Sequence, residues 1–392
     1  MKKIVLFIDE NVYQIRGPII TNFTGGFFGI CSKEEKAKVK AKLERNNKGL
    51  FKSERLNQIA EKNPILKSID IFEEILDDIE KTIPVEYREN FYNNLETLQV
   101  TLIKPDVSPL EEEDAKKQTS TPALYNAFDN RMALLLKPIL IRKQAIDQLV
   151  NEGKLKTSFH EHLKRVIIHE LFHLSSSRYN LSNHTMYCGV SSLNDGKKQK
   201  FNSFNEAITE MLSRRTLPNE EIDINCAYNP LVSIIEQFVD LIGLDAVLKS
   251  YYTNDELESI RNELLKIIND RTKVDTLIET LCAHSPNDIF YSGKDPLTKT
   301  QTLLFEFYKR KIQQLHNQGK YPEASSLLRS LKKNVSAISN DPYYSEDILV
   351  NPEKKNNVQA YVKLVEYNEA EIIKAIKNTQ RTRTRDRKKR NN

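Results

Sequence analysis

Val166-Ile167-Ile168-His169-Glu170-Leu171-Phe172-His173-Leu174 sets the pattern HExxH inside an apolar run of helical period. On an α-helix, residues i and i+4 share a face with Cβ atoms roughly 5–6 Å apart. The imidazoles of His169 and His173 can therefore converge on one zinc ion, each nitrogen about 2.0–2.1 Å from it. Glu170 then stands beside the ion, where a carboxylate can act as general base for water. Leu163, Val166, Ile167, Ile168, Leu171, Phe172 and Leu174 give the same helix a side to bury. The competing reading is an amphipathic core helix whose two histidines are satisfied by hydrogen bonds. Histidine is scarce, seven in 392 residues, so the coincidence is a rare one.

A catalytic zinc takes three protein ligands and keeps a fourth position for water. Three and six residues after His173 stand Ser176 and Tyr179, which excludes the metzincin spacing. The better source of a third ligand is Asn205-Glu206-Ala207-Ile208-Thr209-Glu210, beginning 32 residues beyond His173. Glu206 and Glu210 share a helical face, while Phe204, Ala207, Ile208, Met211 and Leu212 form its buried side. Carboxylates facing alike repel unless a cation lies near them. In this reading Glu206 binds the ion and Glu210 orients His169 through its second ring nitrogen. Two other assignments stay open: Ser203-Phe204-Asn205-Glu206 as a capping box, and Glu210 as the direct ligand.

HELFH followed by NEAITE resembles the gluzincin metallopeptidases over about residues 123–215, a quarter of the chain. The resemblance implies His169, His173 and Glu206 as zinc ligands, Glu170 as base, and a protein or peptide substrate. It also makes strand Met132–Lys137, the two helices and the hairpin between them a minimal zincin core, with that strand at a sheet edge where extended substrate can pair. Zinc lowers the pKa of bound water from about 15.7 towards about 7, and Glu170 carries its proton to the leaving amine. The oxyanion needs a second donor. Tyr228, in the turn Cys226–Pro230, is the first choice, with His184, Tyr187, Arg214 and Tyr251 as rivals.

The expected fold is α+β: a zincin-like catalytic core with a small mixed or antiparallel sheet and an active-site helix, followed by a mainly α-helical C-terminal region. The expected divisions are an N-terminal α+β region (1–104), a linker or surface loop (105–122), the core (123–228), a helical region (229–380) and a disordered basic tail (381–392). Strands are predicted at Lys3–Ile8, Ile19–Phe23 and Leu98–Lys104, and helices at Ser53–Lys62, Ile69–Lys81, Val85–Leu95 and Ile141–Val150. Asp129-Asn130 reads as a hairpin turn, Pro138 as a strand stop, and Ser158 as the start of the HExxH helix. Asn194-Asp195-Gly196 is a β-turn signal between strands Tyr187–Leu193 and Lys198–Phe204. Gly25–Gly29 is no phosphate cradle, since no GK[ST] follows. Seven helices are expected after Asn229, the last of them Val358–Asn378. His160 and His162 are expected to face solvent, His316 to lie on the surface, and His284 to sit in a loop.

Net charge is +5. Arg381–Arg390 alone carries +6, so the rest of the chain is near neutral. That tail lacks aromatic interleaving and reads as solvated rather than as a nucleic-acid site. Cys31, Cys188, Cys226 and Cys282 are scattered without a CxxC, consistent with reduced thiols and a cytoplasmic location. No apolar stretch is long enough for a membrane span. Two rivals to a general peptidase remain: a regulatory cytosolic protease of one dedicated partner, and a catalytically inactive zincin-fold binding protein. Oligomeric state is not legible.

Overall fold

The computed structural model describes residues 4–8, 11–15, 50–67, 69–103, 122–153, 155–156, 158–182, 184–194, 200–217, 228–282 and 296–339, with isolated positions between 363 and 374. Helices dominate these residues, and the strands form small sheets, an α+β composition as the sequence predicts. Expected features at Ile19–Phe23, Gly25–Gly29, Asp195-Gly196, Cys31, Cys226, His284 and the basic tail lie outside the described residues, as do all of the linker 105–122 but its last residue and most of Val358–Asn378.

The chain divides into two compact units, Met1–Cys188 with Leu212–Asp223, and Gly189–Met211 with Ile224–Asn392. The first holds β1 (Ile4–Ile8), β2 (Asn11–Ile15), α1 (Glu54–Lys62), α2 (Asp70–Thr82), α3 (Arg88–Thr97), β3 (Gln99–Ile103), β4 (Ala123–Asn126), β5 (Arg131–Leu135), α4 (Leu136–Asn151), α5 (Phe159–Ser176), β6 (Arg178–Asn180) and β7 (Thr185–Cys188). The second begins with β8 (Ser191–Asn194), and the division then passes through one continuous helix, α6 (Asn202–Thr216). It continues with α7 (Asn229–Ile242), α8 (Leu244–Thr253), α9 (Glu258–Ile267), α10 (Arg271–Cys282), α11 (Pro296–Asn317) and α12 (Tyr321–Ser339).

In the first unit β5 is the middle strand of the sheet β3-β5-β4. It runs parallel to β3, from Gln99↔Arg131 to Ile103↔Leu135, and antiparallel to β4, from Ala123↔Leu134 to Asn126↔Arg131. The expected edge position of Met132–Lys137 is thus corrected: the edge beside it is β4. Met132, Ala133, Leu134 and Leu135 are all buried, and an unbroken apolar run is the mark of a strand covered on both faces. Residues 127–130 make the predicted hairpin turn, with Asn130 at φ 47°, a region Asn tolerates. Pro138 does not stop the strand at a loop. It sits in the first turn of α4, which starts at Leu136 rather than Ile141. The first-turn N–H groups have no intrahelical partner, so a proline there removes nothing.

α5 is the helix around which the first unit packs, against α2, α3, α4 and β4. It buries Phe159, Leu163, Ile167, Ile168, Leu171, Phe172 and Leu174, each contributing about 1.5–3 kcal/mol when fully covered. Ser158 and Glu161 close its N-terminus as a capping box. This crowding overturns the solvent-facing expectation for two histidines. His162 is buried beside the Phe159 ring, and His160 Nε2 lies 3.0 Å from Glu74 Oε2. His316 is likewise buried, its ring 5.1 Å from that of Tyr321 at the start of α12.

In the second unit Gln237 of α7 and Gln301 of α11 exchange side-chain hydrogen bonds of 3.0 and 2.8 Å, both fully buried. One turn on, Asp240 Oδ2 accepts from Tyr308 (3.0 Å), Ser330 (2.6 Å) and Asn334 (3.1 Å). Burial pushes the Asp240 carboxyl above its ordinary range, and those three donors only partly offset it. Asp240→Ala is expected to destabilise the protein by about 1–3 kcal/mol in urea melts, because the donors lose their shared acceptor. A carboxyl with a raised folded-state pKa contributes stability that is present below its unfolded pKa and is lost as pH rises through the folded one. The deficit of Asp240→Ala should therefore shrink as pH rises through that raised value. A deficit that grew instead would contradict the assignment.

Among the described residues no helix is long and apolar enough to cross a membrane.

Candidate metal centre

His169 and His173 lie near the C-terminal end of α5 with both rings buried. Their Nε2 atoms are 3.2 Å apart and their ring planes cross at 74°. Two nitrogens held about 2.0–2.1 Å from a tetrahedral zinc would be about 3.3 Å apart. A carboxylate oxygen of Glu206 completes the group, the three ligand atoms lying within 4.8 Å of one another. Closing that oxygen onto an ion asks for a shift of at most about 1.5 Å. Among the described residues no other three His, Cys, Asp or Glu side chains converge in this way. Two imidazoles and one carboxylate are a donor set that suits zinc.

The capping-box assignment of Glu206 fails on position. Asn205 N–H donates to Phe201 O at 3.0 Å, so the helix begins at Asn202 and Phe201 is its cap. Ser203 is already the second helical residue, and Glu206 stands in the second turn. Of the strand expected over Lys198–Phe204, the described part starts at Lys200 and holds one bridge, between Lys200 and Ser192, because the helix takes the chain from Asn202. Glu210 follows one turn later on the same face, half-buried.

The last turn of α5 is tied down by side chains. Helix C-termini leave carbonyls without intrahelical partners, and here Ser175-Ser176-Ser177 turn back onto them. Phe172 O accepts from Ser175 (2.8 Å) and Ser176 (3.1 Å), and His173 O from Ser177 (2.7 Å). From α3, Asn94 Nδ2 donates to Leu174 O (2.7 Å) and Asn90 Nδ2 to Ser175 O (2.8 Å). Both amides also reach Ser177 O, at 2.8 and 3.0 Å. These bonds hold the turn that carries His173. The serine triplet is visible in the sequence as a signal; the two asparagines, 85 and 80 residues upstream of Ser175 and Leu174, are not.

On the other ligand helix, Thr209 Oγ1 and Tyr251 Oη are 2.9 Å apart in a buried contact. Tyr251 is wholly buried, which gives it a packing role under α6 rather than the oxyanion role considered from sequence. His184 is exposed, in the left-handed region, with Nδ1 3.2 Å from Tyr179 Oη. Tyr187 lies under the Arg178 guanidinium, 5.8 Å from ring centre to cation. Arg214 is half-buried in the last turn of α6. Tyr228 is the half-buried N-cap residue of α7. The structure brings together His169, His173 and Glu206, with buried Glu170 next to His169 in sequence; Glu210 is outside that converging group.

No family model matches the chain, and no curated protein or solved structure does.

Proposed function

We propose that this protein is a zinc-dependent metallopeptidase of the gluzincin type, with a zincin-like core built on α5, α6 and the sheet around β5. The convergence of His169, His173 and Glu206 carries the reading. Bound zinc would lower the pKa of a water and polarise the substrate carbonyl. Glu170, on the residue after the first ligand and buried, accepts the proton from the attacking water and returns it to the leaving amine nitrogen. Glu210 orients His169 from the next turn of α6, and Tyr228 donates to the oxyanion. β4, rather than β5, offers an edge to an extended peptide, since it pairs with β5 on one side and packs against α5. The substrate is a protein or peptide, met in the cytoplasm.

The test is metal analysis of the purified protein together with mass spectrometry of an unbiased peptide library incubated with it. Cleavage that stops with a chelator and returns with added zinc is the expected result. Failure to take up zinc at all overturns the reading. Stoichiometric zinc without cleavage of any peptide or protein replaces it with that of a zincin-fold binding protein.

A further inference from the structure

Once the Nε2 atoms of the two histidines face the ion, each ring has a second nitrogen to satisfy. A neutral imidazole that binds metal through Nε2 carries its hydrogen on Nδ1, and that hydrogen needs an acceptor. For His173 a sulfur is within reach: Cys188 Sγ lies 3.5 Å from Nδ1. The same sulfur is 3.6 Å from the His173 carbonyl oxygen, to which its S–H donates. The two roles are compatible, because a thiol accepts through its lone pairs while giving its own hydrogen elsewhere.

The local fold explains how a residue 15 positions downstream reaches that ring. β6 leaves the end of α5 directly, and β7 returns along it antiparallel, with Arg178↔Tyr187, Tyr179↔Met186 and Asn180↔Thr185 in register. One step further along the register, Cys188 falls opposite Ser177, whose hydroxyl also bonds His173 O. Cys188 is not one of the converging ligands. Its sulfur approaches the ring from the nitrogen opposite the one that faces His169.

We infer that Cys188 is a positioning residue for the metal centre: its sulfur accepts the Nδ1 hydrogen of His173, fixing the tautomer and ring angle that leave Nε2 for the ion. This rests on His169, His173 and Glu206 being a metal site. A sulfur that donates its hydrogen to His173 O holds the ring by a weaker, less polar contact than a carboxylate partner would make.

The test measures zinc affinity by competition with a chromophoric chelator in the full chain and in three variants, with cobalt(II) spectra of each. Cys188→Ala and Cys188→Val are both expected to weaken zinc binding about 10–100-fold and to shift the cobalt d–d bands. Cys188→Ser, which can still accept and donate, is expected to recover most of the loss. Valine fills the volume of the sulfur without accepting a hydrogen bond. Wild-type affinity in Cys188→Val would therefore reduce Cys188 to packing and overturn the inference while leaving the metal site intact. Wild-type protein that binds neither zinc nor cobalt would instead remove the metal site on which the inference stands.

Discussion

Glu206→Ala is expected to purify with little zinc, whereas Glu170→Gln should keep one zinc per chain and lose hydrolysis. The two variants divide holding the ion from using it. Glu206 belongs to the converging group with His169 and His173, and taking away one of three protein ligands leaves two imidazoles and solvent. Glu170 is buried and follows the first ligand in sequence, and glutamine keeps its size and polarity but cannot take a proton. General-base catalysis contributes about 10²–10⁴-fold, so cleavage in Glu170→Gln should fall by at least that range while metal content holds. Metal retained by Glu206→Ala and lost by Glu210→Ala would move the third ligand one turn along α6. Metal retained by both would sink the carboxylate-ligand model.

How much of this was legible in the sequence depends on the reach of each signal. HExxH encodes its own geometry, because a helix fixes the i,i+4 relation of His169 and His173 whatever surrounds it. NEAITE was legible for the same reason, once Glu206 and Glu210 were seen to share a face opposite Phe204, Ile208 and Met211. What escaped were features made by distant residues. The place of β5 in the middle of its sheet depends on β3, which ends 28 residues before β5 begins in sequence and pairs with it in parallel. Burial of His162 and His316 comes from neighbouring elements and side chains that local periodicity does not count. Cys188 read as one of four scattered reduced thiols, since nothing nearby in sequence says that the β6–β7 ribbon folds back upon the last turn of α5. Asn90 and Asn94 share a helical face at i,i+4, yet only the packing of α3 against α5 gives their amides the carbonyls they bond.

Gly189→Ala should damage the metal centre without touching a ligand. Gly189 adopts φ +57°, and a Cβ there would sit 1.9 Å from Asn205 Oδ1 and 2.5 Å from a ring carbon of Tyr251. Asn205 immediately precedes Glu206, and Tyr251 bonds Thr209 one turn later, so the added methyl pushes on both ends of the segment that presents the carboxylate. Left-handed backbone alone costs an ordinary residue about 1–2 kcal/mol, and forcing a methyl into a filled space adds about 1–3 kcal/mol. Gly319→Ala separates the two effects, because Gly319, in the helix-end turn closed by Lys320 N–H on Leu315 O, has φ +78° and nothing within 4 Å of its Cβ position. Gly319→Ala should therefore show the backbone cost in thermal melts and bind zinc like wild type. Gly189→Ala should melt lower still and bind zinc more weakly. Adding Asn205→Ala to Gly189→Ala should restore part of the stability, since the shortest collision is gone, and such non-additivity is the signature of residues in contact. If Gly189→Ala matched Gly319→Ala in both melting and zinc affinity, the close packing of Gly189 against the start of α6 would have no part in holding Glu206 at the ion.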